Sequence, residues 1–325
     1  MASCFKYMAT PDGAAIRHGF WRSRGSVRRG TLVLLSGRSE FLEKYGETIG
    51  LLNARGWDVC SFDWRGQGLS TRMIANRHKG HIEDYEVYLG DLDRFLHEVV
   101  LRRAVRPVAA LAHSMGAHIL LRYLARRGDL FTRVVLTAPM VDIYARRLPI
   151  SLVRMMTRAA LRLGGERAYA PGEGGYRPLS RRRFKNNRLT ADEERYARPH
   201  RLIARNPDLA LGGVTFGWLR ATFDSIDALA SPGVAASIST PMLIVSSGDD
   251  HVVPAAAQTA LCAALPDCRF VSVPGARHEI LMEQDPLRAV FWRAFDGFMS
   301  AGPAAMPPGR PGHSESMAES ASQRA

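Results

Sequence analysis

The chain has 325 residues, 46% of them apolar, 8% aromatic and 23% charged, with a formal charge of +13 from 44 Lys+Arg against 31 Asp+Glu. Such a composition supports a large packed core and excludes wholesale disorder or a fibrous repeat. No apolar run approaches the roughly 18 residues of a membrane-spanning helix, and the opening MASCFKYMATPDG lacks the apolar stretch of a secretory signal.

Short apolar runs alternate with helical patterns, the signature of an α/β protein with a mostly parallel sheet and crossover helices. Thr31–Ser36 reads as a buried strand, followed by a helix over Phe41–Arg55 that Gly56 stops. Trp57–Asp63 is the next strand and runs into the loop Trp64-Arg65-Gly66-Gln67-Gly68. Asp84–Arg103 has helical spacing, with Tyr88, Leu92, Phe95, Leu96 and Val99 on one face. Val108–His113 is a third strand feeding a helix over Met115–Arg127, and Arg133–Thr137 is a fourth. Strand character returns at Pro241–Ser246, followed by a helix over Ala255–Ala264, a strand over Arg269–Val273 and a closing helix over Pro286–Met299.

Regularity lapses in the middle. The expected organisation is a core over 1–142, an inserted cap over 143–220, the rest of the core over 221–300, and a disordered Pro/Gly/Ser/Ala-rich tail over 301–325. Leu148–Leu163 mixes Arg, Met and Leu amphipathically, and Met155 and Met156 suit an adaptable apolar contact surface. Between Ile143 and Arg205 stand 16 basic and 5 acidic residues, and 15 of the 16 are arginine. This cluster suits phosphate-bearing partners: an anionic membrane surface, an acidic substrate or nucleic acid. Solvated surface arginines are the plain alternative. The four cysteines, Cys4, Cys60, Cys262 and Cys268, fit no metal-ligand spacing and read as reduced thiols, which implies a reducing, cytoplasmic location.

The strongest chemical signal is Ala112-His113-Ser114-Met115-Gly116 at a strand-to-helix junction. A nucleophile elbow needs small residues two before and two after the serine, because strand and helix approach closely there. Its sharp turn holds the hydroxyl above the sheet and aims the next backbone N–H at a developing oxyanion. Ala112 departs from the usual G-x-S-x-G by one methyl group. Ser114 needs a base and an acid downstream in the order Ser, Asp/Glu, His. PMLIVSSGDDHVVP supplies Asp249 and Asp250 beyond a strand end, and PGARHEILMEQDP supplies His278 after the last strand. Asp250 fits the spacing better than Asp249. The second oxyanion donor is expected from Ser36-Gly37-Arg38-Ser39-Glu40, where Gly37 permits the turn and the Arg38 amide joins that of Met115. The remaining histidines form no ligand set, so neither metal nor cofactor is expected.

These residues resemble a known family. FDWRGQGLS (62–70), LAHSMG (111–116), SSGDDHVVP (246–254) and GARHEILME (275–283) are similar to α/β-hydrolases of the bacterial lysophospholipase and monoacylglycerol lipase branch, which is grouped with serine aminopeptidases. GRSEFLEKY (37–45) and TFGWLRATFDSI (215–226) extend the resemblance over residues 10 to 299. It implies an α/β-hydrolase fold with an inserted helical cap. It also implies a triad of Ser114, Asp250 and His278, with Arg38 and Met115 as oxyanion donors. Ser36 stands where the family often has the histidine of a His-Gly pair.

The expected function is hydrolysis of lysophospholipid esters through an acyl-enzyme on Ser114, the basic cap favouring a phosphate-bearing lipid and, on the inner face of a membrane, an anionic surface. A monoacylglycerol lipase or generic carboxylesterase would use the same triad. A serine aminopeptidase would need an acidic recess for the substrate amine, and the cap has no acidic cluster. The reading from another class is a non-catalytic basic binding protein on a hydrolase scaffold. Arg181-Arg182-Arg183, Phe184 and Lys185 would be its nucleic-acid footprint, but an intact triad speaks against it.

Overall fold

Eight strands form one sheet in the order β1-β2-β4-β3-β5-β6-β7-β8. They are β1 (Lys6–Ala9), β2 (Ala15–Trp21), β3 (Gly30–Leu35), β4 (Trp57–Phe62), β5 (Val108–His113), β6 (Arg133–Thr137), β7 (Met242–Ser247) and β8 (Cys268–Val273). From β4 to β8 all neighbours are parallel, while β1–β2 and β2–β4 are antiparallel. The computed structural model describes residues 5–24, 27–128, 130–144, 148–181 and 184–300. Cys4, Arg182, Arg183, His313 and the tail 301–325 lie outside them.

The central strands are apolar throughout because both faces are covered. Val33 and Leu35 of β3 pack on one side with α2 (Tyr85–Phe95) and α3 (Ser114–Leu124). Leu32 and Leu34 pack on the other with α1 (Gly46–Ala54) and α8 (Asp285–Ser300). The helix α7 (Ala255–Ala264) links β7 to β8. Between β6 and β7 lies a long insert carrying α4 (Ile150–Arg162), α5 (Glu193–Arg205) and α6 (Phe216–Leu229).

Three features differ from the sequence expectations. The hairpin β1–β2 was not anticipated; it turns over Pro11-Asp12-Gly13, where Gly13 has φ +83°, a conformation glycine adopts at little cost. The helix expected over 84–103 is α-helical only to Phe95 and continues as a π-turn over Leu96–Val100, closed by the Leu101 amide on the Leu96 carbonyl. Leu96, Val99 and Val100 are all buried along it. Finally, Cys262 and Cys268 are joined as a disulfide, against the expectation of reduced thiols. The short connection from α7 to β8 brings their Cα atoms to 5.4 Å, so six residues of separation suffice. Cys60 is a free, buried thiol, pushed up to about 12 by burial and by the nearby Asp58 carboxylate.

Candidate active site

β5 owes its fit to small residues: Ala109, Ala110 and Ala112 are completely buried where the helices lie against the sheet. At its C-terminal end the chain turns sharply into α3, and Ser114 takes φ +49°. A non-glycine residue in the left-handed region is strained, and surrounding contacts must hold it there. Gly116 explains why the turn tolerates nothing larger: a Cβ on it would stand 2.4 Å from the Ser36 carbonyl oxygen. Ala112, by contrast, carries its methyl group without exposure, so the departure from glycine is accommodated.

Ser114, Asp250 and His278 come from three separate strand ends and meet. His278 Nε2 lies 2.9 Å from Ser114 Oγ, and His278 Nδ1 lies 2.8 Å from Asp250 Oδ2. With the imidazole proton on Nδ1, the serine hydroxyl donates to Nε2 and Nδ1–H donates to the carboxylate. The Asp250 side chain is fully buried. Burial would raise its pKa, but the hydrogen bond and charge of His278, with the amides of Val252 and Val253 on Oδ1 at 2.7 and 3.0 Å, hold it below its usual range. Asp249 is turned away and lies 3.1 Å from His251 Nε2. His113 packs against the relay, its ring centroid 4.9 Å from that of His278 and its Nδ1 on Thr137. Burial lowers the His113 pKa to about 4, so it stays neutral.

Met115 sits in the first turn of α3, where backbone N–H groups have no helical carbonyl to bond. Arg38 lies in the loop after β3, between two amides turned inward: Gly37 N–H bonds Glu40 Oε2, and Ser39 N–H bonds Gln67 Oε1 at 3.1 Å. A Cβ on Gly37 would stand 3.0 Å from both Glu40 Oε2 and a His113 ring carbon, so a larger residue there would press on the two side chains that line the loop. The Arg38 guanidinium points into the insert, bonding the Gly212 carbonyl at 3.1 Å and lying 5.7 Å from the Trp218 ring centroid.

Sequence reasoning missed the support beneath this site. Glu40 accepts Tyr45 O–H at 2.6 Å and Lys44 Nζ at 2.6 Å, and Lys44 Nζ also bonds Glu279 Oε1 at 2.7 Å. Gln67 Nε2 ties the Gly37 carbonyl at 2.8 Å. The signals were present: Glu40 and Lys44 have i,i+4 spacing, and Glu279 follows the expected base directly. The insert adds further contacts to the histidine loop. The Glu279 amide bonds the Leu189 carbonyl at 2.7 Å, Thr190 Oγ1 donates to the Met282 carbonyl at 2.7 Å, and Arg277 reaches the Thr190 carbonyl at 3.0 Å.

The arginine excess in the insert is partly neutralised. Arg195 and Arg198 pair with Glu47 at 2.8 and 2.7 Å, and Arg154 pairs with Asp227 at 2.7 Å. Arg158 and Arg162 remain exposed on α4, beside Met155 and Leu163, which are 60% and 87% exposed.

Comparison with known proteins agrees with this architecture. The family model described as serine aminopeptidase, S33 (hydrolase 4) matches residues 26–285. Lysophospholipase L2 of Escherichia coli K12 is 32% identical over 291 residues, covering 86% of this chain and 83% of that protein. Monoacylglycerol lipase of Mycolicibacterium smegmatis is 25% identical over 262 residues, covering 79% and 84%. Among solved structures, a soluble variant of monoglyceride lipase from Saccharomyces cerevisiae superposes with a TM-score of 0.72 at 17% identity, covering 92% of this chain and 96% of that one. With the sheet order, the family match and a relative of this identity in agreement, the chain belongs to the serine aminopeptidase S33 family of α/β-hydrolases.

Proposed function

We propose that the protein is a serine ester hydrolase that releases fatty acid from lysophospholipids. The observation that carries this reading is the Ser114–His278–Asp250 relay, with its 2.9 and 2.8 Å contacts. His278 takes the Ser114 proton as Oγ attacks the acyl carbonyl, while Asp250 holds the imidazole and offsets its charge. The Arg38 and Met115 amides take the oxyanion; losing one such donor typically costs about 3–4 kcal/mol. His278 then protonates the leaving glycerol oxygen, and water, activated by the same imidazole, frees the acid. Lysophospholipid is chosen because E. coli lysophospholipase L2 aligns over most of both chains and because exposed arginines remain on the insert.

Residues 143–220 are read as the cap over this site, and the exposed stripe of α4 as its contact with an anionic lipid surface. Arg158 and Arg162 flank Met155 and Leu163 there, the pattern of a helix lying in a membrane interface. Among the described residues no helix is long and apolar enough to cross a membrane.

The test is fatty-acid release from lysophosphatidyl lipids and from matched monoacylglycerol, for wild type and Ser114→Ala. Release from the lysophospholipid that falls by at least about a thousandfold in the variant is the expected result. Release from monoacylglycerol alone keeps the relay and overturns the phosphate preference. Undiminished release by Ser114→Ala overturns the nucleophile.

A further inference from the structure

The proposed mechanism needs two things held at one spacing: the oxyanion amides and the imidazole. They sit on different loops, 37–40 and 275–283. Between these loops lies a buried ionic chain, and nothing in the reaction uses it. Glu40, Lys44 and Glu279 are 3%, 5% and 9% exposed.

The chain is costly. Three ionisable groups out of water are stabilising only if each is paired and hydrogen-bonded, and such an arrangement is often no more stable than an apolar substitute of the same shape. What it supplies instead is direction. Every bond of Glu40 has a purpose in the loop. Oε2 takes the Gly37 amide and the Tyr45 hydroxyl, leaving Oε1 for Lys44. The Gly37 amide is thereby committed inward, and the next peptide, which carries the Arg38 amide, is held through its Gly37 carbonyl by Gln67 Nε2 at 2.8 Å, a side chain that also bonds the Glu40 carbonyl at 3.2 Å. Lys44 Nζ spans 2.6 Å to Glu40 and 2.7 Å to Glu279, whose backbone continues from His278. An apolar core would fill this space without fixing either loop's rotation. Burial opposes ionisation of Glu40, but the Lys44 and His113 surroundings and its two hydroxyl and ammonium donors lower its pKa to about 2, so the acceptor is charged throughout the neutral range.

We propose that Lys44 is a positioning residue for ester cleavage, joining the Glu40-held oxyanion loop to the histidine loop through Glu279 so that donor and base keep a fixed separation. The inference rests on the reading of Ser114 as nucleophile, Arg38 as donor and His278 as base. Lys44 touches neither substrate nor reacting atoms; it acts through Glu40 and Glu279.

Its test uses the full chain and two variants. Lys44→Met leaves two carboxylates without their cation and is prone to misfold, so the informative protein is Lys44→Met with Glu279→Gln, which removes the link while returning the three positions to their wild-type net charge. Wild-type hydrolysis and labelling by a fluorophosphonate are measured first; failure there sinks the nucleophile reading and is distinct from failure of the present one. For the double variant, kcat is expected to fall about ten- to a hundredfold with KM within about twofold, short of the loss from deleting a donor outright. The inhibition constant of an alkyl trifluoromethyl ketone, which forms a tetrahedral oxyanion on the serine, should rise in parallel with the loss in kcat/KM. A lower melting temperature with kcat and the ketone constant unchanged would show a structural role only and overturn the proposal. A fall in kcat with ketone affinity intact would equally overturn it, because the oxyanion donors would then be in place.

Discussion

Arg195 Nη2 lies 2.8 Å from Glu47 Oε1, joining α5 of the insert to α1 of the core. Arg198 and Arg288 close on the same carboxylate at 2.7 and 2.6 Å. Glu47 is thus one point where the Arg-rich insert is ionically fastened, beside the Arg195–Asp285 pair at 2.7 Å. Its pKa is lowered to about 2, first by the Arg195 hydrogen bond, against burial, with help from Arg198 and Arg288.

A depressed carboxylate stabilises the fold fully above its unfolded pKa, near 4.5, and loses that contribution as pH falls toward 2. The hydrogen-exchange protection factors of residues 193–205, taken against the intrinsic rate at each pH, should therefore fall between pH 4.5 and 2 in the wild type. In Glu47→Gln the same residues should be less protected at pH 7 and should lose less protection on acidification. Equal protection of α5 in both proteins at pH 7 would remove Glu47 as a fastening.

At the elbow, two small residues predict opposite outcomes. Gly116→Ala places a methyl group 2.4 Å from the Ser36 carbonyl, a backbone atom that cannot rotate away. The cost should be about 1–3 kcal/mol in stability with a loss of hydrolysis, because the displaced strand carries the oxyanion loop. Ala112→Gly removes one buried methyl group and should cost about 1 kcal/mol or less, with activity kept. Urea unfolding and ester turnover measured side by side check both.

The Cys262–Cys268 disulfide closes a short loop, for which chain-entropy arguments give about 2 kcal/mol. Cys268→Ser should lower the melting temperature, and reductant should lower that of the wild type by a similar amount while leaving the variant unmoved. Hydrolysis should persist in both, since α7 and β8 lie outside the relay. Indifference of the wild type to reductant would mean the pair contributes nothing to stability.

On α4, Met155→Glu with Leu163→Glu removes the exposed apolar groups without touching the core. Sedimentation with phosphatidylglycerol vesicles should fall several-fold, while turnover of a soluble short-chain ester stays unchanged. Equal sedimentation of both proteins would discard α4 as the lipid contact.

Much of the sheet was legible because its strands are buried on both faces. Val108–His113 and Arg133–Thr137 read as unbroken apolar runs, and their observed limits coincide with the reading. The hairpin β1–β2 was not, since its first strand is mostly exposed and mixed in character; the Asp12-Gly13 turn was the available signal. Ser114, Asp250 and His278 stood out because each follows a readable strand. Lys44 and Glu279 did not, because the i,i+4 spacing of Glu40 and Lys44 marks them as neighbours without showing that they are buried or that they meet a distant segment. The disulfide was missed because counting thiols says nothing of how closely a short connection returns.

The bonds from residues 187–191 to the histidine loop bear on how such enzymes can be recombined. The Leu189 carbonyl, Thr190 hydroxyl and Ala191 amide contact Glu279, Met282 and Glu283 respectively. The insert is therefore not a detachable module that can be exchanged for another at its two chain crossings. A chimera that takes its insert from one parent and residues 275–283 from another would inherit mismatched halves of one contact. Breakpoints chosen in engineering, and lineages that have exchanged their inserts, should carry these two segments together.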